Sequence, residues 1–242
     1  MDVVYNIMSY LDNRFIQNIK RDSIQIIFEL GSRDLKDAVN LHKYYNCKVY
    51  AFECNPDCLV ECNNTLSNIS DISIKSNIIL IDKAVCLNDK DVTFYPFDLT
   101  KYNNMGSSSL LKIDFSMRNK NDPDYNRENP QSEILVKGVR LDTFITQNNI
   151  SNLDLLCIDL QGYELNAIKS LGDNINTVKY IITECSIQNT YTNGATFVEL
   201  NTYLANMGFT YVCSNRFGTN LPDTNMTGFS EFDALFVNKL AL

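Results

Sequence analysis

Ile24-Gln25-Ile26-Ile27-Phe28-Glu29-Leu30-Gly31-Ser32-Arg33-Asp34 is the stretch on which the fold turns. Ile24 to Leu30 is an apolar run with one Gln and a late Glu, the pattern of a strand buried on both faces. Gly31 ends it, and residues 33–45 read as a helix. The same alternation then repeats. Lys48 to Phe52 is a second buried strand, followed by Glu53-Cys54-Asn55-Pro56, where Pro56 suits the first turn of a helix running to about Leu66. Asn77 to Ile81 is a third strand. The order βαβαβ implies parallel strands joined by right-handed crossovers.

Working outward, residues 1–20 place Val4, Ile7, Met8, Leu11, Phe15 and Ile19 at helical spacing, which predicts an N-terminal helix covering one face of the sheet. Asp91 to Phe97 alternates and predicts an extra strand. Residues 99–132 form a long polar stretch expected to be a lid or substrate loop. Glu133 to Val139 reads as a strand and Leu141 to Gln147 as a short helix, with Asp142 as its N-terminal cap. Asp154 to Leu160 and Val178 to Cys185 are the fourth and fifth core strands, each followed by a helix, Tyr163 to Leu171 and Phe197 to Met207. Gly208 caps the latter. Phe209 to Ser214 and Phe232 to Asn238 are joined by a turn-rich stretch with no room for a crossover helix, so they are expected to be antiparallel. The chain therefore reads as one α/β domain over 1–242: a mostly parallel seven-stranded sheet ending in an antiparallel hairpin, with helices on both faces.

Composition narrows the function. The 242 residues are enough for one sizeable core, and the 45% hydrophobic and 21% charged content is that of a soluble globular protein. A net charge of −8 with no Lys/Arg cluster disfavours a nucleic-acid partner and leaves a neutral, hydroxylated small molecule or glycan. No basic leader with an apolar core and no run long enough to span a membrane is present, so the expected location is the cytoplasm. The eight cysteines match no zinc or iron–sulfur spacing. Cys54, Cys58 and Cys62 recur every four residues and are expected to stack on one buried helix face in a reducing compartment. His42, the single histidine, is read as a packing or surface residue.

Ligands of open α/β sheets bind at the carboxyl ends of the strands. Gly31 lets backbone approach a ligand there, with Ser32 and Arg33 beside it, and Glu29 either fixes that loop or receives a cationic amino group through water. Glu53 ends the second strand 22 residues after Gly31, where a carboxylate can accept both hydroxyl protons of a ribose. The third strand ends in Asp82-Lys83-Ala84, with Asp82 placed to accept from an adenine amino group and Ala84 leaving space for the ring. Three successive strand ends thus carry what an adenosyl ligand needs. An NAD(P)-dependent oxidoreductase also wants the ribose carboxylate, but needs a Gly-x-Gly-x-x-Gly loop for its pyrophosphate. Ser32-Arg33-Asp34-Leu35-Lys36 supplies no second glycine, and Asp34 repels phosphate. A non-catalytic adenosyl-binding module is the other alternative.

These residues, together with Val49 to Pro56, Gly106 to Leu110, Val139 to Phe144, Ile158-Asp159-Leu160-Gln161-Gly162-Tyr163-Glu164-Leu165 and Ile181 to Glu184, resemble the FkbM family of O-methyltransferases across about residues 24–240. The resemblance implies a Rossmann-like methyltransferase fold, S-adenosylmethionine as cofactor, and hydroxyl groups of sugars or polyketide-like small molecules as acceptors. The family often has Pro at the position of Cys54 and Glu at that of Gln161. A sugar hydroxyl is a poor nucleophile, so a base or a metal should assist. Asp159 is the candidate base or cofactor-amine anchor, with Glu184 and Gln161 orienting the acceptor. A divalent metal held by Asp159 and Glu184 would have only two oxygen ligands. Glu164 reads as a first-turn helix charge favoured by the dipole. Ser108, Ser109 and Lys112 are expected near cofactor or acceptor.

Overall fold

The computed structural model describes residues 10–100, 105–114, 131–188, 190–224 and 231–241. Its centre is β1 (Ile26–Leu30), which pairs in parallel with β2 (Lys48–Glu53) on one side and β7 (Leu155–Ile158) on the other. Outside these lie β3 (Ile78–Asp82) against β2 and β8 (Tyr180–Ser186) against β7, both parallel. The last strands, β9 (Phe209–Ser214) and β10 (Glu231–Asn238), are antiparallel to one another, and β10 also pairs antiparallel with β8. The sheet order is therefore β3-β2-β1-β7-β8-β10-β9. The expected parallel sheet with a terminal antiparallel hairpin is present, and its final strand inserts between β8 and β9.

Two separate cores explain the continuous apolar runs. Phe28, Tyr50, Phe52, Leu156, Ile158 and Ile181 face one side of the sheet; Ile27, Val49, Ala51, Leu155, Cys157 and Ile182 face the other. On the first side pack α5 (Leu141–Gln147), α6 (Glu164–Lys169) and α7 (Phe197–Asn206). On the second pack α1 (Asn13–Ile16), α2 (Lys36–Tyr45) and α3 (Pro56–Asn68). A short α4 (Ile72–Asn77), which carries no buried residue and no apolar periodicity, leads into β3. A small second sheet joins β4 (Ala84–Val85), β5 (Asp91–Phe94) and β6 (Ile134–Val139), in the order β4-β6-β5.

Some sequence expectations change. The N-terminal helix falls partly on residues 1–9, which lie outside the described residues; of the rest, only Asn13–Ile16 is α-helical, capped by Asp12. Phe15 and Ile19 are nonetheless buried, so the periodicity reported burial rather than a long helix. Of the expected lid, 101–104 and 115–130 lie outside the described residues, while its described part is tied to the loops after β5 and β8 by the isolated bridges Tyr95 to Ser109 and Ile113 to Tyr191. Arg140, not Asp142, is the N-cap of α5; Asp142 sits inside the first turn and pairs with Arg140. His42 packs as expected, with Nδ1 2.6 Å from the Cys47 carbonyl oxygen. All eight cysteines are free and seven are buried, but Cys54 precedes α3 rather than stacking within it. Among the described residues no helix is long and apolar enough to cross a membrane.

At the amino-terminal ends of the central strands, Asp154 ties β1, β7 and β8 together. Its Oδ2 accepts from the Gln25 and Ile26 N–H groups at 2.8 and 3.0 Å, and its Oδ1 lies 2.7 Å from Lys179 Nζ. Its own carbonyl accepts from Tyr180 N–H at the start of β8. Asp154→Ala strands two N–H groups and a lysine against a residue that is 2% exposed. Urea denaturation should show a loss of about 3 kcal/mol; a loss under ~1 kcal/mol would show that water replaces the carboxylate at little cost.

Candidate active site

A cavity of about 600 Å³ opens at the carboxyl ends of the central strands. Its position follows from β1 and β7. Asp159 N–H donates to the Leu30 carbonyl, so the chain leaving β1 and the chain leaving β7 run side by side. Gly31, at φ +88°, is the contact: a Cβ there would lie 1.9 Å from the Asp159 carbonyl oxygen. No residue with a side chain fits without moving one strand end off the other.

The cofactor-side residues expected from the sequence mostly meet at this cavity. Gly31, Ser32, Arg33, Glu29 and Glu53 line it, as do Cys54, Lys83 and Ala84. Ser32 Oγ–H donates to Glu29 Oε2 at 2.6 Å, so Glu29 fixes the loop after β1. Glu53 is held by three backbone donors: Cys54 and Asn55 N–H to Oε1 at 2.8 and 2.7 Å, and Arg33 N–H to Oε2 at 2.8 Å. Arg33 itself is left-handed, at φ +51°, a conformation that the Glu53 acceptor of its N–H helps to maintain. Asp82 is exposed at the end of β3 and lies outside the lining, and Lys112 is also outside it, 3.6 Å from Glu133 and over the Tyr95 ring. Ser108 and Ser109 do line the cavity; Ser109 Oγ–H donates to the Gln161 carbonyl at 2.8 Å.

On the other wall, Gln161 Nε2 donates to Asp159 Oδ1 and to Glu184 Oε2, each at 2.8 Å. The three residues expected to carry chemistry are thus one hydrogen-bonded unit, built from the ends of neighbouring strands β7 and β8.

The sequence profile of the methyltransferase FkbM domain matches residues 31–211. The chain belongs to this family. S-adenosylmethionine is therefore its cofactor, and the nicotinamide alternative falls away. Among solved structures, the chain is similar to the FkbM methyltransferase of Methylobacillus flagellatus KT, at 12% identity and a TM-score of 0.51, over 88% of this chain and 43% of that one. It spans less than half of that protein's length. It is also similar to M. capricolum TrmK in complex with S-adenosylhomocysteine (10% identity, TM-score 0.48, 95% and 69% of the two chains). Aeropyrum pernix fibrillarin with bound S-adenosyl-L-methionine is a further likeness (9%, 0.47, 89% and 67%). Among curated proteins, none matches the chain.

The residues present fit the FkbM cofactor. Glu53 lines the cavity and keeps one accepting site on Oε2 after its three N–H bonds, which suits a ribose hydroxyl. A divalent metal fits less well. Carboxylate oxygens of Asp159, Glu164 and Glu184 lie within 4.8 Å of one another. Yet Glu164 Oε1 already accepts from Leu160 and Gly162 N–H, and the Gln161 amide N–H₂ occupies the space between the other two. An N–H₂ group aimed between two ligands opposes a cation.

Several groups here escaped the sequence reading. Glu164, expected as a solvated first-turn charge, is buried and staples the loop after β7. Asp233 faces Glu184 directly across the β8–β10 pairing, and Glu231 lines the same wall. Only the late hairpin brings them here, so short-range spacing carried no signal. Asn55, buried, caps α3 and donates to Ser108 Oγ at 3.3 Å; the Asn-Pro pair could have marked it.

Burial governs the protonation of this acidic wall. It pushes Glu29 up to about 8, against the Ser32 hydrogen bond, and Glu164, Glu231 and Asp233 up to about 7. Glu184 is driven well above the carboxylate range, first by burial and then by the Asp159 charge. Asp159 is also raised by burial, but hydrogen bonds from Gln161 and Glu184 pull it back. The proton of this pair therefore sits on Glu184. Each raised carboxyl holds a proton in the fold that the unfolded chain has already lost, so its stabilisation is complete below the unfolded value and declines as pH rises through the folded one. The unliganded protein should thus lose stability between about pH 4.5 and 8, and Glu29→Gln should flatten that slope by up to about 1.4 kcal/mol per pH unit. Chemical denaturation at half-unit pH steps tests this; equal slopes in the two proteins would refute a buried, protonated Glu29.

Proposed function

We propose that the protein is a single-domain, cytoplasmic O-methyltransferase that transfers a methyl group from S-adenosylmethionine to a hydroxyl of a sugar, glycan or other neutral small molecule. The observation that carries this reading is the Asp159–Gln161–Glu184 unit, which shares one cavity with Glu53 and the Gly31 loop. S-adenosylmethionine, when bound, supplies an electrophilic methyl group on a sulfonium.

The chain's own residues have distinct tasks in this scheme. Glu53 grips the ribose, with Ala84 leaving room beside Lys83 for the base. Glu29 and Ser32 keep the β1 loop in shape. Asp159, the charged member of its pair, accepts the acceptor's hydroxyl proton or anchors the cofactor amine. Glu184 gives its single proton to Asp159 as a hydrogen bond, adds no charge, and forms part of the wall that orients the acceptor. Gln161 keeps both carboxyls at fixed distances. Much of the acceleration then comes from placement. Ser108 and Ser109 form part of the wall on which the acceptor rests, and the 99–132 segment acts as lid or substrate loop. An acidic acceptor wall disfavours phosphorylated or nucleic-acid substrates. Free, buried cysteines fit a reducing compartment.

Thermal unfolding with S-adenosylhomocysteine, and with NADH as control, comes first. At about 100 times its dissociation constant the ligand adds roughly 2.7 kcal/mol, a rise of about 5–10 °C for a chain of this size. A rise with NADH alone would sink the cofactor assignment. Next, release of S-adenosylhomocysteine is followed over a panel of neutral sugars, with RNA as the competing acceptor. On the sugar that reacts, Asp159→Asn should turn over about 10²–10⁴-fold more slowly. An undiminished rate would remove Asp159 as base, and turnover on RNA alone would remove the glycan assignment.

A further inference from the structure

Tyr191 lies outside every motif that the sequence singled out, in a turn-rich stretch between β8 and α7, yet it is 4% exposed and reaches the active-site wall. Its hydroxyl donates to Gln161 Oε1 at 2.8 Å and lies 3.0 Å from the Ser107 carbonyl oxygen. Main chain holds it on both sides: Asp114 N–H donates to the Thr190 carbonyl at 2.8 Å and Thr192 N–H to the Lys112 carbonyl at 2.7 Å. The ring packs on Gly162, at φ +94°, where a Cβ would come within 3.1 Å of it. Gln161 just before is left-handed at φ +53°, an unfavoured conformation for a residue with a side chain.

Donor and acceptor bookkeeping gives this contact a consequence. A glutamine amide has one accepting end and one donating end, and turning it over exchanges them. With the Tyr191 hydroxyl directed at Oε1, the N–H₂ end must face Asp159 and Glu184, as it does. Turned over, the amide would aim its oxygen at both carboxyls and its N–H₂ at the phenol.

We propose that Tyr191 is a positioning residue whose hydroxyl fixes the orientation of the Gln161 amide, and through it the carboxyl pair Asp159 and Glu184 at the methyl-transfer end of the cavity. The proposal rests on that pair being the reactive end of the site. It also makes Tyr191 the link between the Ser107 wall and the pair, because its single proton faces acceptors on both.

The test is a double-mutant cycle read on Asp159 itself. Tyr191→Phe keeps the ring against Gly162 and removes only the hydroxyl; Gln161→Met keeps the length of the side chain and removes the amide. Aspartate carrying ¹³C at Cγ reports the Asp159 titration in wild type, both single variants and the double, with Asp159→Asn giving the assignment. The other groups around Asp159, namely Tyr10, Arg33, Asp37, Glu53, Glu164, Glu184, Glu231 and Asp233, are the same in all four proteins. N–H donation favours the charged carboxylate, so its weakening moves the midpoint to higher pH. Tyr191→Phe should therefore shift Asp159 upward in the wild-type background and leave it unmoved in the Gln161→Met background. An unchanged midpoint in Tyr191→Phe, or the same shift in both backgrounds, overturns the proposal, since a packing effect would not depend on the amide. Binding of S-adenosylhomocysteine should weaken about three- to tenfold in Tyr191→Phe, again only where Gln161 is present. A wild-type protein that fails to bind it overturns the cofactor reading instead, and the titration still decides the role of Tyr191.

Discussion

The close parallel contact of β1 with β7 is the constraint on which the site depends. Leu30 sits beside Ile158, the Asp159 N–H closes on the Leu30 carbonyl, and Gly31 has no side chain because Asp159 backbone occupies that space. From this one contact the cofactor loop and the carboxyl pair acquire a shared floor. Hydrogen bonds then propagate it. Glu29 holds Ser32, Glu53 holds Arg33 and the start of α3, and Glu164 holds the loop that carries Gln161. Each of these anchors is a buried carboxyl group whose oxygens accept from N–H or O–H groups, which is a rigid way to shape loops that follow buried strands.

That choice has an electrostatic cost that the fold meets with protons. Glu184 and Asp233 stand opposite one another across a strand pair, where two like charges would repel. Burial keeps Glu29, Glu164, Glu231 and Asp233 protonated far above their ordinary range, so the wall is rich in acids but poorer in charge than its sequence suggests. Asp159 is the exception, because two neighbours donate to it. Asp159, drawn back toward its charged form by those donors, is a sharper electrostatic feature in a partly neutralised wall than in a uniformly ionised cluster, and it suits both an ammonium group and a hydroxyl proton.

How much of this could be read in advance depended on whether the physics was local. Strands buried on both faces announced themselves as apolar runs, and the missing crossover before the last strand announced the antiparallel hairpin. Glu53 was legible because a fixed distance separates successive strand ends in a βαβ unit. The N-terminal segment misled because Phe15 and Ile19 are spaced for burial, which a few turns and one helical turn satisfy as well as a helix. Asp82 and Lys112 were placed by position along the chain, yet the wall at β3 is made by Lys83 and Ala84. Tyr191, Asp233 and Glu231 arrive through long-range pairing, which no spacing in the sequence encodes.

Gln161 shows how an amide in place of an acid changes electrostatics while leaving shape alone. A glutamate at this position would add a fourth acid to Asp159, Glu164 and Glu184, whose oxygens already lie within 4.8 Å of one another. Such an acid would have to carry its own proton, and with one proton it could donate to only one neighbour. The amide donates to both at once and carries no charge at any pH. Its second end must then find a donor, because a buried amide oxygen without one is costly. The Tyr191 hydroxyl meets that requirement. The glutamine, the tyrosine and the Asp159 carboxylate are thus parts of one solution: the amide keeps the centre short of one acid and donates to the carboxylate on which the proposed reaction draws.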